Sequence, residues 1–410
     1  MSDSCWNPGL LPFEQALAKM LKQVSPIEET IELPIKEVLN YVLATDINSP
    51  LNVPPHDNSA MDGYAFASKS LEKNLTLSLA GRSMAGAPFQ GMCQLGQCIR
   101  IMTGAKMPQG CNTVEMQENT QINGDKVTFL QQKSFGSHVR NAGEDIKKDQ
   151  LVLAKGHKIK SVDIGVLASL GVINIKVYRK LKVALIATGD ELKTPGQPLT
   201  EGDIYETNSF VIASMLERLG VEVIDFGIIE DDFDNIKHAF INADRQADAV
   251  ISSGGVSVGE ADYTKKVLDE LGDIGFWKIA MKPGKPFAFG QLPNSVFFGL
   301  PGNPVSALVT FHQLALQALV KMQNAKPLNR TYLQALSVDN LRKSPGRKDF
   351  QRGYFTVNNQ GENVVYSTGA QGSGILSSLA KANCFIELAQ EQSSVVAGEI
   401  VTVQLFDTLI

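Results

Sequence analysis

Cysteine, histidine and tryptophan are scarce in this 410-residue chain, and what is missing excludes more than the bulk composition does. The five cysteines (Cys5, Cys93, Cys98, Cys111, Cys384) are odd in number and scattered, which fits a reducing compartment rather than a disulfide framework. Cys93 and Cys98 have neither a second close pair nor a nearby histidine, so zinc-ligand spacing is absent. The five histidines (His56, His138, His157, His238, His312) form no pattern, and histidine acid–base catalysis finds no support. Neither a Walker sequence nor a Gly-x-Gly-x-x-Gly fingerprint occurs, which weakens ordinary NTPase and dinucleotide readings. No stretch approaches the ~18 apolar residues of a membrane span, and no basic segment precedes an apolar core at the N-terminus. A net charge of -5 and a pI near 5.7 argue against a nucleic-acid partner held through its phosphates. The expectation is a cytoplasmic protein with no nucleic-acid or membrane partner, in which any anionic ligand needs a local basic site.

What is present describes a globular chain of several domains. Hydrophobic residues make up 43% and charged residues 20%, and the length exceeds one ordinary core, so two to four domains are expected. Residues 12–24 place Phe13, Leu17, Met20, Leu21 and Val24 at helical spacing, and 35–44 read as a second helix. A Pro-rich break from Ser49 to Pro55 opens a mainly β insert, with short strands and Gly turns from Leu75 to Asp149. Residues 161–171 read as a helix closed by Gly171. From Leu181 the rhythm becomes strand–helix alternation. Strands are expected at 183–187, 221–229, 248–252 and 276–281, helices at 208–219, 234–247 and 262–271, a hairpin over 287–299 and a long apolar helix at 304–322. That pattern is a doubly wound α/β unit, whose ligands sit at the carboxyl ends of the strands. The tail from Leu328 alternates in strand fashion with Gly turns and no long helix, as a small β-barrel or sandwich does.

Chemistry concentrates in the loops that leave those strand ends. After the 248–252 strand, Ser252, Ser253, Gly254 and Gly255 are followed by Ser257 and Gly259. Glycines at a strand-to-helix turn let backbone N–H groups approach an anion, and hydroxyls and the helix N-terminus add donors. Glu260 and Asp262 follow, and they would repel a bare phosphate unless a divalent cation bridges them. Asp190 and Glu191 sit after the 183–187 strand, where such a pair binds a cation or caps a helix. Lys282 and Lys285 flank a rigid Pro-Gly turn. Pro301-Gly302-Asn303-Pro304 leads into Ser306 and the last helix. Outside this unit, 57–65 with Asp62, 101–105 with Thr103, and 140–145 with Asp145 are polar turns, while Arg347, Arg352 and 371–374 in the tail offer oxyanion donors.

Together these segments resemble the molybdopterin molybdenumtransferase family (MoeA and the gephyrin E domain). The matching pieces run in the family's order through nearly the whole chain: 57–65, 103–105, 143–145, 188–191, 252–264, 282–286, 300–307 and 371–373. The resemblance implies an elongated multi-domain α/β protein, with an α+β N-terminal half carrying a β-rich insert, an adenylyltransferase-like α/β domain and a C-terminal β-barrel. The implied domains are 1–48 plus 147–179, 49–146, 180–327 and 328–410. It also implies insertion of molybdate into adenylated molybdopterin with Mg2+ and release of AMP, in a homodimer, with molybdopterin adenylyltransferase and molybdoenzyme-maturation proteins as transient partners. The family roles fall on Asp62, Thr103, Asp145, Glu191, Asp262 and Lys282 as catalytic groups, with Glu191 and Asp262 on the metal. Ligand-binding roles fall on Ser252, Ser253, Gly254, Gly255, Ser257, Gly259, Lys278, Lys285, Pro301, Ser306, Arg352 and Ser373. Asp62 and Asp145 are expected to face the α/β domain of the partner subunit. Two alternatives stand beside this reading: the adenylyltransferase step that makes the adenylated substrate, and a non-catalytic dimeric scaffold.

Overall fold

The computed structural model describes residues 9–255, 263–407 and 409–410; Ser257, Gly259, Glu260 and Asp262 lie outside the described residues. The chain divides into two compact units, one of 1–31, 40–42 and 177–410, the other of 32–39 and 43–176.

The first unit is built on a six-stranded sheet with the spatial order Glu222–Ile229, Lys182–Thr188, Ala249–Ser253, Val296–Leu300, Pro286–Gln291, Asp273–Lys278. Both faces of its central strands are apolar, which is why the sequence shows continuous runs there instead of alternation. Val183, Leu185 and Ile251 pack on one face with helices Phe13–Gln23, Asn208–Leu219 and the 304–322 helical stretch. Ala184, Ile186, Val250 and Phe297 pack on the other with helices Phe233–Gln246 and Tyr263–Leu271. The doubly wound expectation holds with one difference. Pro286–Gln291 runs antiparallel to both neighbours, because a short turn joins it to each of them and a short turn reverses direction. Asp273–Lys278 consequently points the same way as the other strands, so its end lies on the same carboxyl edge.

At the opposite end of these strands one ion pair locks the register. Arg179 donates from both terminal nitrogens to Asp248, at 2.7 and 2.8 Å, and the Lys182 N–H donates to the same carboxylate at 2.8 Å. Residues 304–322 form Pro304–Thr310, a π-helical turn Phe311–Ala315 and Leu316–Met322. Contrary to the expectation that no stretch comes near a membrane span, this helical stretch is long and apolar enough to cross one, yet 89% of its most apolar part is buried in this core. The tail closes into a five-stranded barrel of Tyr332–Ser337, Lys348–Val357, Asn363–Ser367, Cys384–Leu388 and Ile400–Leu405, sealed where Lys348–Val357 pairs with Cys384–Leu388.

The second unit carries a six-stranded sheet of short strands, in the order Thr113–Met116, Gly63–Phe66, Gln97–Ile101, Thr76–Ser83, Lys126–Phe129, Thr120–Asn123, and the helix Ser161–Ser169. Its β character agrees with the expected insert, and the first strand of this sheet begins at Gly63. The helix expected at 35–44 is not formed. Asn40 adopts a left-handed φ of 67°, which interrupts a helical run, and Leu43 and Ala44 instead donate backbone N–H groups to the His157 and Lys176 carbonyls.

Burial alone would raise the Asp248 carboxyl, but the bonds from Arg179 and Lys182 hold it below its ordinary value. A carboxylate with a depressed folded pKa contributes stability above its unfolded pKa and loses it as pH falls through the folded value. Asp248→Asn should therefore cost about 1.5–3 kcal/mol at neutral pH. Thermal melts of the two proteins should converge only in acid, below the usual carboxylate range.

Candidate active site

Close backbone approach, made possible by glycine, shapes the carboxyl edge of the α/β sheet. Gly254 follows the Ala249–Ser253 strand with φ of 95°, and a Cβ there would lie 2.6 Å from the Thr188 carbonyl of the next strand. Gly255, at φ of 63°, leaves room for Thr264, whose hydroxyl would meet an added Cβ at 2.3 Å. Around this turn four buried hydroxyls have no hydrogen-bond partner among the described residues: Thr188, Ser252, Ser253 and Thr264. Buried hydroxyls are ordinarily paired, and four orphans at one strand edge mark a place built for a polar ligand. The observed cradle is thus wider than the expected site residues, since Thr188 and Thr264 fall inside the expected segments 188–191 and 252–264 but on different elements from the Ser-Gly run.

The other loops join this turn in a continuous chain of contacts. The Gly254 N–H donates to Leu300, and Gly302 lies against the Gly254 Cα. Asn208, first residue of its helix, donates to the Gly302 carbonyl at 2.9 Å. Gly284, at φ of 100°, nests the Lys282–Pro286 turn onto the last helix, where an added Cβ would stand 2.1 Å from the Thr310 hydroxyl and 3.5 Å from the Ser306 carbonyl. The Val305 N–H donates to the Ser373 carbonyl at 2.9 Å, which brings the barrel loop to the start of that helix beside the buried Ser306. Ser252, Ser253, Gly254, Gly255, Pro301, Ser306, Ser373 and Lys282 are therefore one neighbourhood. Lys278 and Lys285 bracket the lysine turn with exposed side chains, and the Ile279 N–H closes it by donating to the Lys285 carbonyl at 2.8 Å.

Lys282 is strapped to the barrel. It pairs in parallel register with Asp349, and its ammonium lies 3.3 Å from the buried Asp349 carboxylate while remaining 42% exposed. Asp349 is a buried acid in a largely basic neighbourhood. Burial pulls Lys343 down from its ordinary value, Lys282 and Arg347 add to that, and Asp349 opposes it. Arg352 is buried, and its guanidinium donates to the Ser378 hydroxyl at 3.0 Å and the Gly372 carbonyl at 3.0 Å. Its backbone N–H also holds Gln371. Arg352 thus braces the 370–373 loop from within and adds positive charge behind it.

Acids occupy the other side of the edge. A cavity of about 610 Å³ is lined by Gly189, Asp190, Lys193, Glu230, Asp231 and Asp232 among others. The Asp231 N–H donates to Asp190, and burial together with Asp190 and Glu191 raises the Asp231 carboxyl. Asp231 was not singled out from sequence, since a Glu-Asp-Asp run ahead of a helix reads as capping, the role its neighbour Asp232 does perform. Among the described residues no group of three or more ligands is arranged to hold a metal by itself. Glu191 is exposed at this edge, and a hard cation bound by one or two carboxylates and substrate phosphates fits such a donor set.

In the second unit the three polar turns read from sequence meet. Thr103 donates from both its N–H and its hydroxyl to Asp62, each at 2.7 Å. The Gly104 N–H donates to Ser59, and Asp57 accepts the Ala142 N–H at 2.8 Å, so the turn bearing the exposed Asp145 is tied to the same cluster. The Thr103 bonds, with Arg100 adding attraction, hold the Asp62 carboxyl below its ordinary range, and Asp62 is ionised at neutral pH.

An α/β sheet with a hydroxyl-lined glycine turn at its carboxyl edge, flanked by a lysine turn and a barrel loop, defines a multi-domain α/β protein with an appended barrel and a polar strand-end site. Family models for the MoeA N-terminal region (domains I and II), a probable molybdopterin binding domain and the MoeA C-terminal region (domain IV) match residues 11–171, 184–321 and 334–406. A molybdopterin molybdenumtransferase of Haemophilus influenzae is 49% identical, the match covering 98% of this chain and 100% of that protein. Gephyrin of Dictyostelium discoideum is 30% identical over 96% of this chain and 62% of its own length. The solved molybdopterin biosynthesis MoeA protein of Pyrococcus horikoshii OT3 superposes with a TM-score of 0.84 at 31% identity, over 97% of this chain and 100% of that one. The chain belongs to the molybdopterin molybdenumtransferase family, transferases of molybdenum cofactor biosynthesis.

Thr103→Val removes one of the two donors to Asp62 and keeps the backbone one. The Asp62 carboxyl should then titrate at higher pH, part of the way back to its ordinary value, in a carboxyl-carbon NMR titration. An unmoved titration would show that the hydroxyl contributes nothing to the charge state of Asp62.

Proposed function

We propose that this chain inserts molybdate into adenylated molybdopterin, with magnesium assisting and AMP leaving, to give molybdenum cofactor. The observation that carries the reading is the union, within one unit, of an orphan-hydroxyl cradle at a glycine turn with a lysine-bearing turn and an acidic cavity on the same sheet edge. A pterin phosphate anhydride is anionic and needs donors close to the backbone, which Ser252, Ser253, Gly254, Gly255 and Thr188 supply. Molybdate is a tetrahedral dianion and needs charge-assisted donors, for which Lys282 stands ready beside Ser306 and Ser373, with Arg352 buried behind the loop. Magnesium, when bound, would neutralise charge on the phosphates of the leaving AMP, with Glu191 holding it and Asp262 the further acid that the resemblance implies. No covalent nucleophile is required, since positioning and charge neutralisation can lower the barrier.

The finer features of the reading go together. The chain works in the cytoplasm as a homodimer of four-domain subunits divided at 1–48 plus 147–179, 49–146, 180–327 and 328–410. The ionised Asp62, with Thr103 and Asp145, serves the cradle of the partner subunit. A molybdopterin adenylyltransferase delivers the substrate, and maturation proteins of molybdoenzymes collect the product.

Incubation with adenylated molybdopterin, magnesium and molybdate tests the assignment. Protein-bound or pterin-bound molybdenum with stoichiometric AMP supports it. ATP consumption with pyrophosphate release would point to the adenylyltransferase step, and neither outcome would leave a scaffold. Lys282→Ala should raise the molybdate requirement roughly tenfold to a hundredfold, the loss of one charge-assisted contact worth about 1.5–3 kcal/mol. Calorimetry should show near-unchanged affinity for the adenylated pterin; an equal loss there would place Lys282 at the phosphates instead.

A further inference from the structure

Asp62 is held by more than Thr103. Both Thr103 bonds, from the N–H and from the hydroxyl, end on Asp62 Oδ1 at 2.7 Å, and Oδ2 has no hydrogen-bond partner among the described residues. The carboxylate thus commits one oxygen to the loop and leaves the other for a ligand. Its backbone is pinned as well. Gly63, the next residue, lies so close to the Thr113–Met116 strand that a Cβ there would stand 1.8 Å from the Glu115 carbonyl. The Gln117 N–H donates to the Asp62 carbonyl at 3.1 Å.

Arg100 braces this turn from the neighbouring strand. It stands opposite Tyr64 in the pairing of Gly63–Phe66 with Gln97–Ile101, and its guanidinium covers the Tyr64 ring, 5.2 Å from the centroid. A planar cation on the face of a buried ring is held in a defined orientation. One terminal nitrogen donates to the Gly63 carbonyl at 2.9 Å, and the other donates to the Gln117 side-chain oxygen. Gly63 is joined to Asp62 by the chain, and Gln117 is joined to it by the backbone bond. Neither prong goes to the Asp62 carboxylate, yet the guanidinium attracts that carboxylate through space.

We propose that Arg100 is a positioning residue for Asp62, its grip on Gly63 and Gln117 fixing the carboxylate while leaving Oδ2 free for the substrate. The inference rests on the role given to Asp62 in the proposed reaction. A guanidinium bonded directly to Asp62 would occupy Oδ2 and neutralise the charge that the site presents. Stacked on Tyr64 and bonded on both sides of the turn, Arg100 supplies attraction without contact. Lysine keeps the charge but lacks the planar fork, so its ammonium cannot hold both acceptors in place and is free to close on Oδ2.

Three variants of the full-length protein separate position from charge. Arg100→Lys keeps the charge and loses the fork, and Arg100→Gln loses both. Gln117→Ala, at an exposed position, opens one prong with little risk to the fold. In Arg100→Lys and Gln117→Ala the Thr103 amide proton should move upfield in NMR spectra as its bond to Oδ1 loosens. Turnover in molybdenum transfer should fall several-fold in both, with KM for the adenylated pterin little changed, as expected for a contact made in the transition state. In Arg100→Gln the Asp62 carboxyl should titrate at higher pH than in the parent. An unmoved Thr103 amide, or parental turnover, in Gln117→Ala and Arg100→Lys would overturn the positioning role. An unmoved Asp62 titration in Arg100→Gln would overturn the attraction through space. The amide shift reads the grip without the reaction, so a shifted amide beside a parent protein that transfers no molybdenum would support the grip and strike the proposed reaction instead.

Discussion

Three missing Cβ atoms set the geometry on which the rest of the first unit depends. At Gly254, Gly255 and Gly284 an added methyl group would stand 2.6, 2.3 and 2.1 Å from Thr188, Thr264 and Thr310, and all three glycines have positive φ. Any side chain at these positions would force apart the turns that meet at the carboxyl edge of the sheet, and would do so in a strained backbone conformation. Because the turns can close, the strand ends, the Pro304 helix and the lysine turn share one small region. The fold thereby supplies donors from several elements to one place, which no single segment of the chain could do.

Charge is arranged around that edge with unequal signs. Asp190, Glu191 and Asp231 gather by the cavity after the first two strands, and burial, with repulsion from Asp190 and Glu191 added, raises the Asp231 carboxyl. Lys282, Lys343 and Arg352 gather where the α/β core meets the barrel, with the buried Asp349 among them. A chain of net charge -5 thus keeps a local basic site, as its composition required of any protein that handles an anion. The acids favour a cation beside the phosphates, and the bases favour an oxyanion. The buried Asp349 holds Lys282 in one orientation without consuming its exposure, which is 42%.

Much of this was legible in sequence where local signals agreed with tertiary ones. The helix Asn208–Leu219 was placed to the residue because Gly220 in a left-handed conformation ends it and apolar spacing defines its inner face. The central strands were legible because burial on both faces leaves uninterrupted apolar runs. The 35–44 segment failed for the opposite reason: Val38, Val42 and Leu43 have helical spacing and are buried, but the left-handed Asn40 breaks the run. Asp231, Asp349, Thr188 and Thr264 were not singled out as site residues, although Thr188 and Thr264 lie inside the segments 188–191 and 252–264 and Asp349 lies between Arg347 and Arg352. Their role arises from register across strands and from the barrel strand that runs beside Lys282.

The central claim is that the orphan hydroxyls of the carboxyl edge exist for a ligand and not for the fold. It makes stability and affinity move independently. Removing an unpaired buried hydroxyl removes a desolvation cost, so a Thr188→Val, Ser253→Ala double variant should melt at the same temperature as the parent or higher. Calorimetric titration of that variant with adenylated molybdopterin should show binding weakened about tenfold or more, as two hydroxyl contacts are lost. A lower melting temperature with unchanged affinity would contradict the account and make these hydroxyls part of the scaffold alone.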